Sequence, residues 1–295
     1  MMRNLSSILQ LFSARPIAAI ALTMALFPGV AVAEPSKPIV SEWQGTKDAA
    51  VRLIAGPGQT DADGRVWLGL QFRLAPGWKT YWRNPGESGA PPLFDWRAAD
   101  NIKATDIRWP APKRFSAYGF DSFGYSGEVV LPILLAAATP SQAITARLNL
   151  SYMICANVCV PMQADLALDI NPGPKSGSST PSPLIRRYLD RVPSPMGKTG
   201  MTINSTQISG LPGKQILHIK GHSDRPFEAP DLMVEGPEPF GFGRPTVTYS
   251  AERRDVAMAL PVYVGPGKAK LTDQTVTLTL VDGPRAIEHR LKLKP

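Results

Sequence analysis

Residues 144–152, ITARLNLSY, alternate apolar and polar side chains over their whole length. The apolar residues, from Ile144 to Tyr152, would share one face of an extended strand, and the polar residues between them would share the other. A second stretch, VWLGLQFRL at 66–74, has the same period of two. This pattern is typical of antiparallel strands that are buried on one face. We therefore predict an all-β fold built around these two strands.

Shorter candidate strands surround these two, and the composition agrees with a β-sandwich. The chain contains 30 prolines and 25 glycines, which interrupt it too often for long helices. Together the candidates predict a first sandwich of about seven or eight strands. The weaker candidates are residues 51–55, 102–108, 129–135 and 164–170.

The first 33 residues have the pattern of a signal peptide for export. Two arginines precede an apolar run at 17–27, and Ala-Val-Ala at 31–33 forms a small-residue cleavage site. The run is shorter than the ~20 residues that a spanning helix needs, which favours cleavage after Ala33 over an uncleaved anchor. Without the two arginines the formal charge falls from +8 to +6, and it is spread along the chain without long runs of like charge. We expect a soluble exported protein that does not bind nucleic acid.

The chain beyond the signal peptide is long enough for two domains, because one hydrophobic core rarely serves more than ~250 residues. NPGPKSGSSTPSP at 171–183 has no apolar side chain suited to a core, and its Pro, Gly and Ser content predicts an exposed linker. We assign the first domain to 34–170 and the second to 184–295. The second domain should begin with a short helix and continue with strands at 215–220, 256–264 and 275–281.

The chain has only two cysteines, Cys155 and Cys159, and both lie between the strand at 144–152 and the strand at 164–170. This placement predicts a hairpin-like connection at one end of the first sandwich. Two cysteines this close in sequence can reach the ~5.5 Å Cα separation that a disulfide requires.

Three interpretations of this pair are open. A structural disulfide suits an exported protein, but so small a loop gains the least stabilisation from being closed. A soft-ligand site for cuprous copper could use Met153 and Met162 together with Cys155 and Cys159. A redox-active pair that alternates between dithiol and disulfide needs one such pair, no other cysteine and no cofactor. The redox interpretation best explains why the chain has two cysteines and no more.

Four segments in this order carry a family resemblance: the export signal, LAPGWKTYWRNPGESGAPPLFDW, WPAPKRFSAYGFDSFGYSGEVVLP and LSYMICANVCVPMQADLAL. Together they resemble the N-terminal periplasmic domain of the DsbD and ScsB protein-disulfide reductases. The resemblance implies an immunoglobulin-like fold in the periplasm. It also implies that Cys155 and Cys159 receive electrons from a membrane-embedded donor of the DsbD, ScsB or CcdA type and pass them to periplasmic thioredoxin-fold proteins. The family motif favours Cys159 as the thiol that attacks first.

The resemblance further implies a cap loop whose aromatic residue shields the disulfide until a partner docks. In this sequence FSAYGFDSFGY at 115–125 occupies that position, with Tyr118 or Phe120 as the lid. Ordinary packing is the alternative for any one of these aromatic residues. Three more match a stretch that lies beside the cysteines in the family: Trp78, Tyr81 and Trp82.

Unlike full-length DsbD, this sequence has no multi-span membrane region and no C-terminal thioredoxin-like domain. We therefore expect a freestanding component of a protein-disulfide reductase system, which takes electrons from a separate polypeptide. The predicted architecture is two immunoglobulin-like β-sandwich domains joined by a Pro/Gly/Ser-rich linker, with Cys155 and Cys159 as the exchanging pair. The competing prediction is a periplasmic module that binds cuprous copper.

Overall fold

The computed structural model describes residues 39–56, 58–174, 179–265 and 269–294. Over these ranges the chain forms 21 β-strands and one short α-helix, which confirms the predicted all-β fold. Within the same residues, no helix is long and apolar enough to span a bilayer. The predicted signal peptide and its cleavage after Ala33 lie outside the described residues.

The first sandwich consists of two six-stranded sheets. Its strands are β1 (Ile39–Val40), β2 (Gln44–Gly45), β3 (Ala49–Ala55), β4 (Arg65–Leu74), β5 (Lys79–Gly86), β6 (Leu93–Asp95), β7 (Ile102–Ile107), β8 (Lys113–Ala117), β9 (Phe120–Ser126), β10 (Glu128–Ala137), β11 (Ile144–Cys155) and β12 (Cys159–Ile170). One sheet has the order β1-β3-β4-β10-β7, with β2 beside β3. The other has the order β12-β11-β5-β9-β8, with β6 beside β11, and it carries both cysteines.

The alternating stretch ITARLNLSY forms most of β11, and its apolar residues are buried in the core between the two sheets. VWLGLQFRL forms β4, which is buried on both faces rather than on one. The reason is a helix, α1 (Pro183–Leu189), whose buried Ile185 side chain approaches Gly69 of β4 so closely that an added Cβ there would lie 3.1 Å from it.

Helix α1 begins where the sequence predicts it. The Ser182 hydroxyl accepts a hydrogen bond from the Ile185 N–H at 3.4 Å and caps the first turn. The sequence assigns this helix to the second domain, whereas Ile185 and Tyr188 belong to the core of the first sandwich. The Tyr188 hydroxyl also donates to the Glu128 carbonyl at 2.8 Å. The helix therefore packs on the first sandwich, and the exact domain limits stay a prediction.

The second sandwich has a core of its own, formed by residues such as Leu217, Leu260 and Leu278. Its strands are β13 (Ser194–Pro195), β14 (Met201–Ser209), β15 (Gln215–Ser223), β16 (Asp231–Glu235), β17 (Phe240–Phe242), β18 (Thr246–Tyr249), β19 (Asp255–Val264), β20 (Thr275–Asp282) and β21 (Arg285–Lys292). One sheet has the order β13-β21-β20-β16, and the other has the order β14-β15-β19-β17 with β18 beside β19. The predicted pair of sandwiches is confirmed.

Candidate functional site

The two cysteines form a disulfide at the end of the β11–β12 hairpin. Strand pairing runs without a register shift from Ile144 opposite Ile170 to Cys155 opposite Cys159. The bonded cysteines have a Cα separation of 4.1 Å, and three residues connect them. The regular hairpin thus brings the sulfur atoms together at its tip, because directly opposite residues on paired strands point to the same face of the sheet.

The two sulfur-bearing residues differ in their access to solvent. Cys155 is only 1% exposed, whereas Cys159 is exposed, as is its neighbour Val158. A thiolate from another protein can therefore approach Cys159 but not Cys155. Attack on Cys159 would make the Cys155 sulfur the leaving group of the exchange.

Tyr81 covers the buried sulfur. Its hydroxyl lies 2.8 Å from Cys155 Sγ, to which it donates a hydrogen bond, and 3.6 Å from Cys159 Sγ. Burial raises the pKa of Tyr81, so the hydroxyl keeps its proton and remains a donor at neutral pH. A hydrogen bond to a charged acceptor is stronger than one to a neutral acceptor. This contact would therefore stabilise Cys155 more as a thiolate than as half of a disulfide.

Two glycines allow the backbone to approach Tyr81 and its strand. A Cβ on Gly89, whose φ is +96°, would lie 2.2 Å from two carbon atoms of the Tyr81 ring. A Cβ on Gly124, which lies opposite Tyr81 on β9, would lie 1.9 Å from the Thr80 carbonyl oxygen. On the other side of β5, the Thr80 hydroxyl donates to the Met153 carbonyl at 3.0 Å. The position of the Tyr81 ring therefore depends on close backbone packing.

Lys79 is a site residue that the sequence analysis missed. It lies directly opposite Cys155 in the β5–β11 register, so both side chains point to the same face of the sheet. Its Nζ donates to the Ser122 hydroxyl at 2.9 Å and lies 5.3 Å from the Phe115 ring centroid. Burial lowers the pKa of Lys79. The sequence does contain a signal for Lys79. Residues two apart on a strand share a face, so recognising 79–86 as a strand would have placed Lys79 on the same face as Tyr81.

The three predicted aromatic neighbours of the cysteines occupy different environments. Tyr81 contacts both sulfur atoms. Trp82 is fully buried and belongs to the core between the sheets, on the opposite face of β5. Trp78 is partly buried against the same core. The structure therefore brings Tyr81 to the disulfide, whereas Trp78 and Trp82 pack with the core of the first sandwich, and their shielding role stays a prediction.

The two predicted lid residues lie at the tip of the β8–β9 hairpin. Tyr118 has a φ of +54° and precedes Gly119, which also has a positive φ. Tyr118 is 83% exposed and Phe120 is 56% exposed. Both aromatic side chains therefore face solvent in this structure, and their role as a lid stays a prediction.

The four proposed copper ligands do not all lie on one face of the hairpin. Met153 is two residues before Cys155 on β11 and shares its face. Met162 lies opposite Tyr152 and packs against the core, on the other face. Among the residues that the structure describes, no group of three or more His, Cys, Asp or Glu side chains is arranged to hold a metal ion.

The two sandwiches match two different families of known proteins. Residues 48–170 match the family described as thiol:disulfide interchange protein DsbD, N-terminal. Residues 191–295 match a domain of unknown function, DUF8393. A search of curated proteins finds no match.

Among solved structures, the N-terminal periplasmic domain of ScsB from Proteus mirabilis is similar, with 23% sequence identity and a TM-score of 0.68. The likeness covers 88% of this chain and 99% of that one, and it shows a shared fold. The family match includes the complete hairpin that carries the disulfide, and it supports a role in thiol-disulfide exchange for the cysteine pair. Residues 48–170 of this chain are a domain of the DsbD N-terminal family.

Proposed function

We propose that this protein is a periplasmic thiol-disulfide relay in which Cys155 and Cys159 accept electrons from a membrane-embedded reductase of the DsbD, ScsB or CcdA type. The reduced pair then passes them to thioredoxin-fold proteins. The observation that carries this proposal is the asymmetric disulfide, which has one exposed cysteine and one buried cysteine in contact with Tyr81. The family match at 48–170 and the periplasmic origin of the similar ScsB domain support it.

Reduction of the pair begins at Cys159. A thiolate of the donor attacks Cys159 Sγ, the bond between the two sulfurs breaks, and Cys155 leaves as a thiolate that receives the Tyr81 hydrogen bond. The second thiol of the donor then attacks the donor sulfur of the mixed disulfide, and Cys159 leaves as a thiolate. The donor is oxidised to a disulfide, and the Cys155–Cys159 pair gains two electrons and takes up protons from solvent.

Oxidation of the pair reverses these roles. The exposed Cys159 thiolate attacks a disulfide of the acceptor and forms a mixed disulfide. Cys155 then attacks Cys159 Sγ, which restores the internal disulfide and releases the acceptor as a dithiol. The Tyr81 hydroxyl favours the thiolate form of Cys155 in both directions, because a hydrogen-bond donor lowers the cost of a thiolate. The positive charge of Lys79, on the same face of the sheet but directed towards Ser122, adds a longer-range attraction.

The aromatic residues around the site have supporting roles in this proposal. Tyr118 or Phe120, at the exposed hairpin tip, is the lid that a partner meets first. Trp78 and Trp82 form the apolar base beneath the pair and limit the access of water and oxidants.

Trapping of the mixed disulfide tests the proposal. The Cys155→Ser variant keeps the exposed Cys159, whose thiolate should attack a single-cysteine thioredoxin that carries thionitrobenzoate on its remaining sulfur. Thionitrobenzoate leaves, and the mixed disulfide is stable because neither protein has a second thiol to resolve it. The Cys159→Ser variant keeps only the buried Cys155 and should form much less adduct. Non-reducing electrophoresis and mass spectrometry of alkylated samples measure both adducts.

The wild-type protein provides the reference for this test. Its disulfide should be reduced by reduced thioredoxin, with two alkylated cysteines per chain after the reaction. A disulfide that stays closed would contradict the proposal. Stoichiometric, tight binding of cuprous ion by the reduced protein, with no exchange, would instead support the copper module formed by Cys155, Cys159, Met153 and Met162.

A further inference from the structure

The second sandwich contacts the first through two clusters of arginines and carboxylates. In the first cluster, Arg83 of β5 pairs with Glu235 of β16 at 2.6 Å and also contacts Glu288 of β21. Burial opposes the charge on Arg83, but hydrogen bonds to Glu235 and Glu288 outweigh it and raise its pKa. Met233, also on β16, is buried in the core of the first sandwich. The ion pairs of Arg83 therefore lie beside an apolar contact between the two sandwiches.

The second cluster is centred on Asp121, which lies next to the tip of the β8–β9 hairpin and opposite Ser116. Arg114 of β8 has a side chain only 7% exposed, and it pairs with Asp121 at 2.9 Å and with Asp231 of β16 at 2.8 Å. Arg244, which follows β17, pairs with Asp121 at 2.8 Å and contacts the Ser116 hydroxyl. One carboxylate of the first sandwich thus binds one arginine from each sandwich.

Each cluster is linked to a segment of the chain next to Tyr81. Arg83 follows Tyr81 by two residues on β5. The Asp121 N–H donates to the Glu87 carboxylate at 2.7 Å, and the Glu87 N–H donates to the Asp121 carbonyl at 2.8 Å. These two hydrogen bonds hold the turn in which Gly89 packs against the Tyr81 ring. One cluster thus includes a residue of the Tyr81 strand, and the other is hydrogen-bonded to the turn whose Gly89 approaches the Tyr81 ring.

We infer that the second sandwich is a brace that positions Tyr81 on Cys155, and that Glu235, Glu288, Asp231 and Arg244 are positioning residues for exchange at the disulfide. The inference rests on the proposed function and gives a role to the domain at 191–295. Partly buried ion pairs contribute little net stability, because desolvation offsets much of their attraction. Their directional hydrogen bonds fix the relative position of the groups they join.

The test is the rate at which dithiothreitol reduces the disulfide. The double variant Glu235→Gln/Glu288→Gln removes the two carboxylates that pair with Arg83 and so weakens the first cluster. Arg244→Lys keeps the positive charge in the second cluster but loses the planar, bidentate contact with Asp121. Each should slow reduction by about two- to tenfold. Lys292→Gln is the matched control, because Lys292 forms an exposed ion pair with Asp273 in the same sandwich, and it should react at the wild-type rate. Thermal unfolding checks the fold, and Arg244 is exposed enough for its variant to fold.

The same brace variants in a Tyr81→Phe background separate positioning from simple stabilisation. If the brace acts through the Tyr81 hydroxyl, its variants should have no further effect on the rate when that hydroxyl is absent. Equal slowing in both backgrounds, or a lower melting temperature with a wild-type rate, would overturn the inference. Failure of the wild-type protein to react with reduced thioredoxin would overturn the proposed relay instead, so the two outcomes are distinguishable.

Discussion

The Tyr81 hydroxyl lies 2.8 Å from Cys155 Sγ, although the two residues are 74 positions apart in the sequence. The contact exists because β5 and β11 are neighbours, with Thr80 opposite Ile154. It makes the two sulfur atoms of one disulfide chemically different: Cys159 is open to attack, and Cys155 has a proton donor in place to stabilise it as the leaving group.

Removal of the Tyr81 hydroxyl should slow exchange. Hydrogen bonds to charged groups contribute about 1.5–3 kcal/mol, so we expect Tyr81→Phe to slow reduction by dithiothreitol about tenfold or more. Stopped-flow measurement of the reaction at neutral pH gives the rate.

Tyr152→Phe is the control for this change. Tyr152 is a buried tyrosine on β11 that faces the core, and its hydroxyl has no hydrogen-bond partner among the described residues. We expect Tyr152→Phe to keep the wild-type exchange rate and the wild-type stability or a higher one, because a buried unpaired hydroxyl is unfavourable. If both variants react equally slowly, the effect does not come from the Tyr81 contact.

Loss of the Lys79 charge should reduce the reactivity of the dithiol form. Lys79 shares the face of the sheet that carries Cys155, although its Nζ donates to Ser122. Without this positive charge less thiolate forms at neutral pH, and we expect Lys79→Met to slow exchange by at most about fivefold, less than Tyr81→Phe. Because burial lowers the pKa of Lys79, the difference from wild type should disappear as the pH rises and Lys79 loses its proton. The ultraviolet absorbance of the thiolate across a pH titration measures the effect. Lys103→Met removes an exposed lysine from β7 in the other sheet and should change nothing.

A methyl group on Gly89 should displace the Tyr81 ring. Both Gly89 and Gly77 have a positive φ, so an alanine at either position costs about 1–2 kcal/mol of backbone strain. An added Cβ at Gly77 meets nothing within 4 Å, whereas at Gly89 it meets the Tyr81 ring at 2.2 Å. We expect Gly77→Ala to keep the exchange rate and Gly89→Ala to lower both the rate and the stability. Equal effects on the rate would show that the clash does not reach Tyr81.

Acid should weaken the cluster around Asp121. Burial alone would raise the pKa of Asp121, but hydrogen bonds from Arg244, Ser116 and Arg114 outweigh it and lower the pKa to about 2. Because an unfolded Asp titrates near ~3.9, the stability that Asp121 contributes is complete above that value and is lost as the pH falls towards about 2. Urea unfolding across this range should therefore show a steeper loss for the wild type than for Asp121→Asn. Parallel curves would contradict this prediction.

The sequence by itself determined the class of fold and the position of the reactive pair. Strand periodicity is a local property, so ITARLNLSY and VWLGLQFRL identified β11 and β4 without any knowledge of their partners. The hairpin at 155–159 was equally local, because it needs only two adjacent strands and a short turn.

The tertiary structure alone decided which residues act on that pair. Alternation shows that a strand has two faces but not what covers each of them, so the sequence could not separate Tyr81 at the sulfurs from Trp82 in the core. The register of β5 on β11 placed Lys79 opposite Cys155, and packing between the sandwiches brought Arg244 to Asp121. These contacts join residues far apart in the chain, and their geometry depends on the whole fold rather than on any one segment.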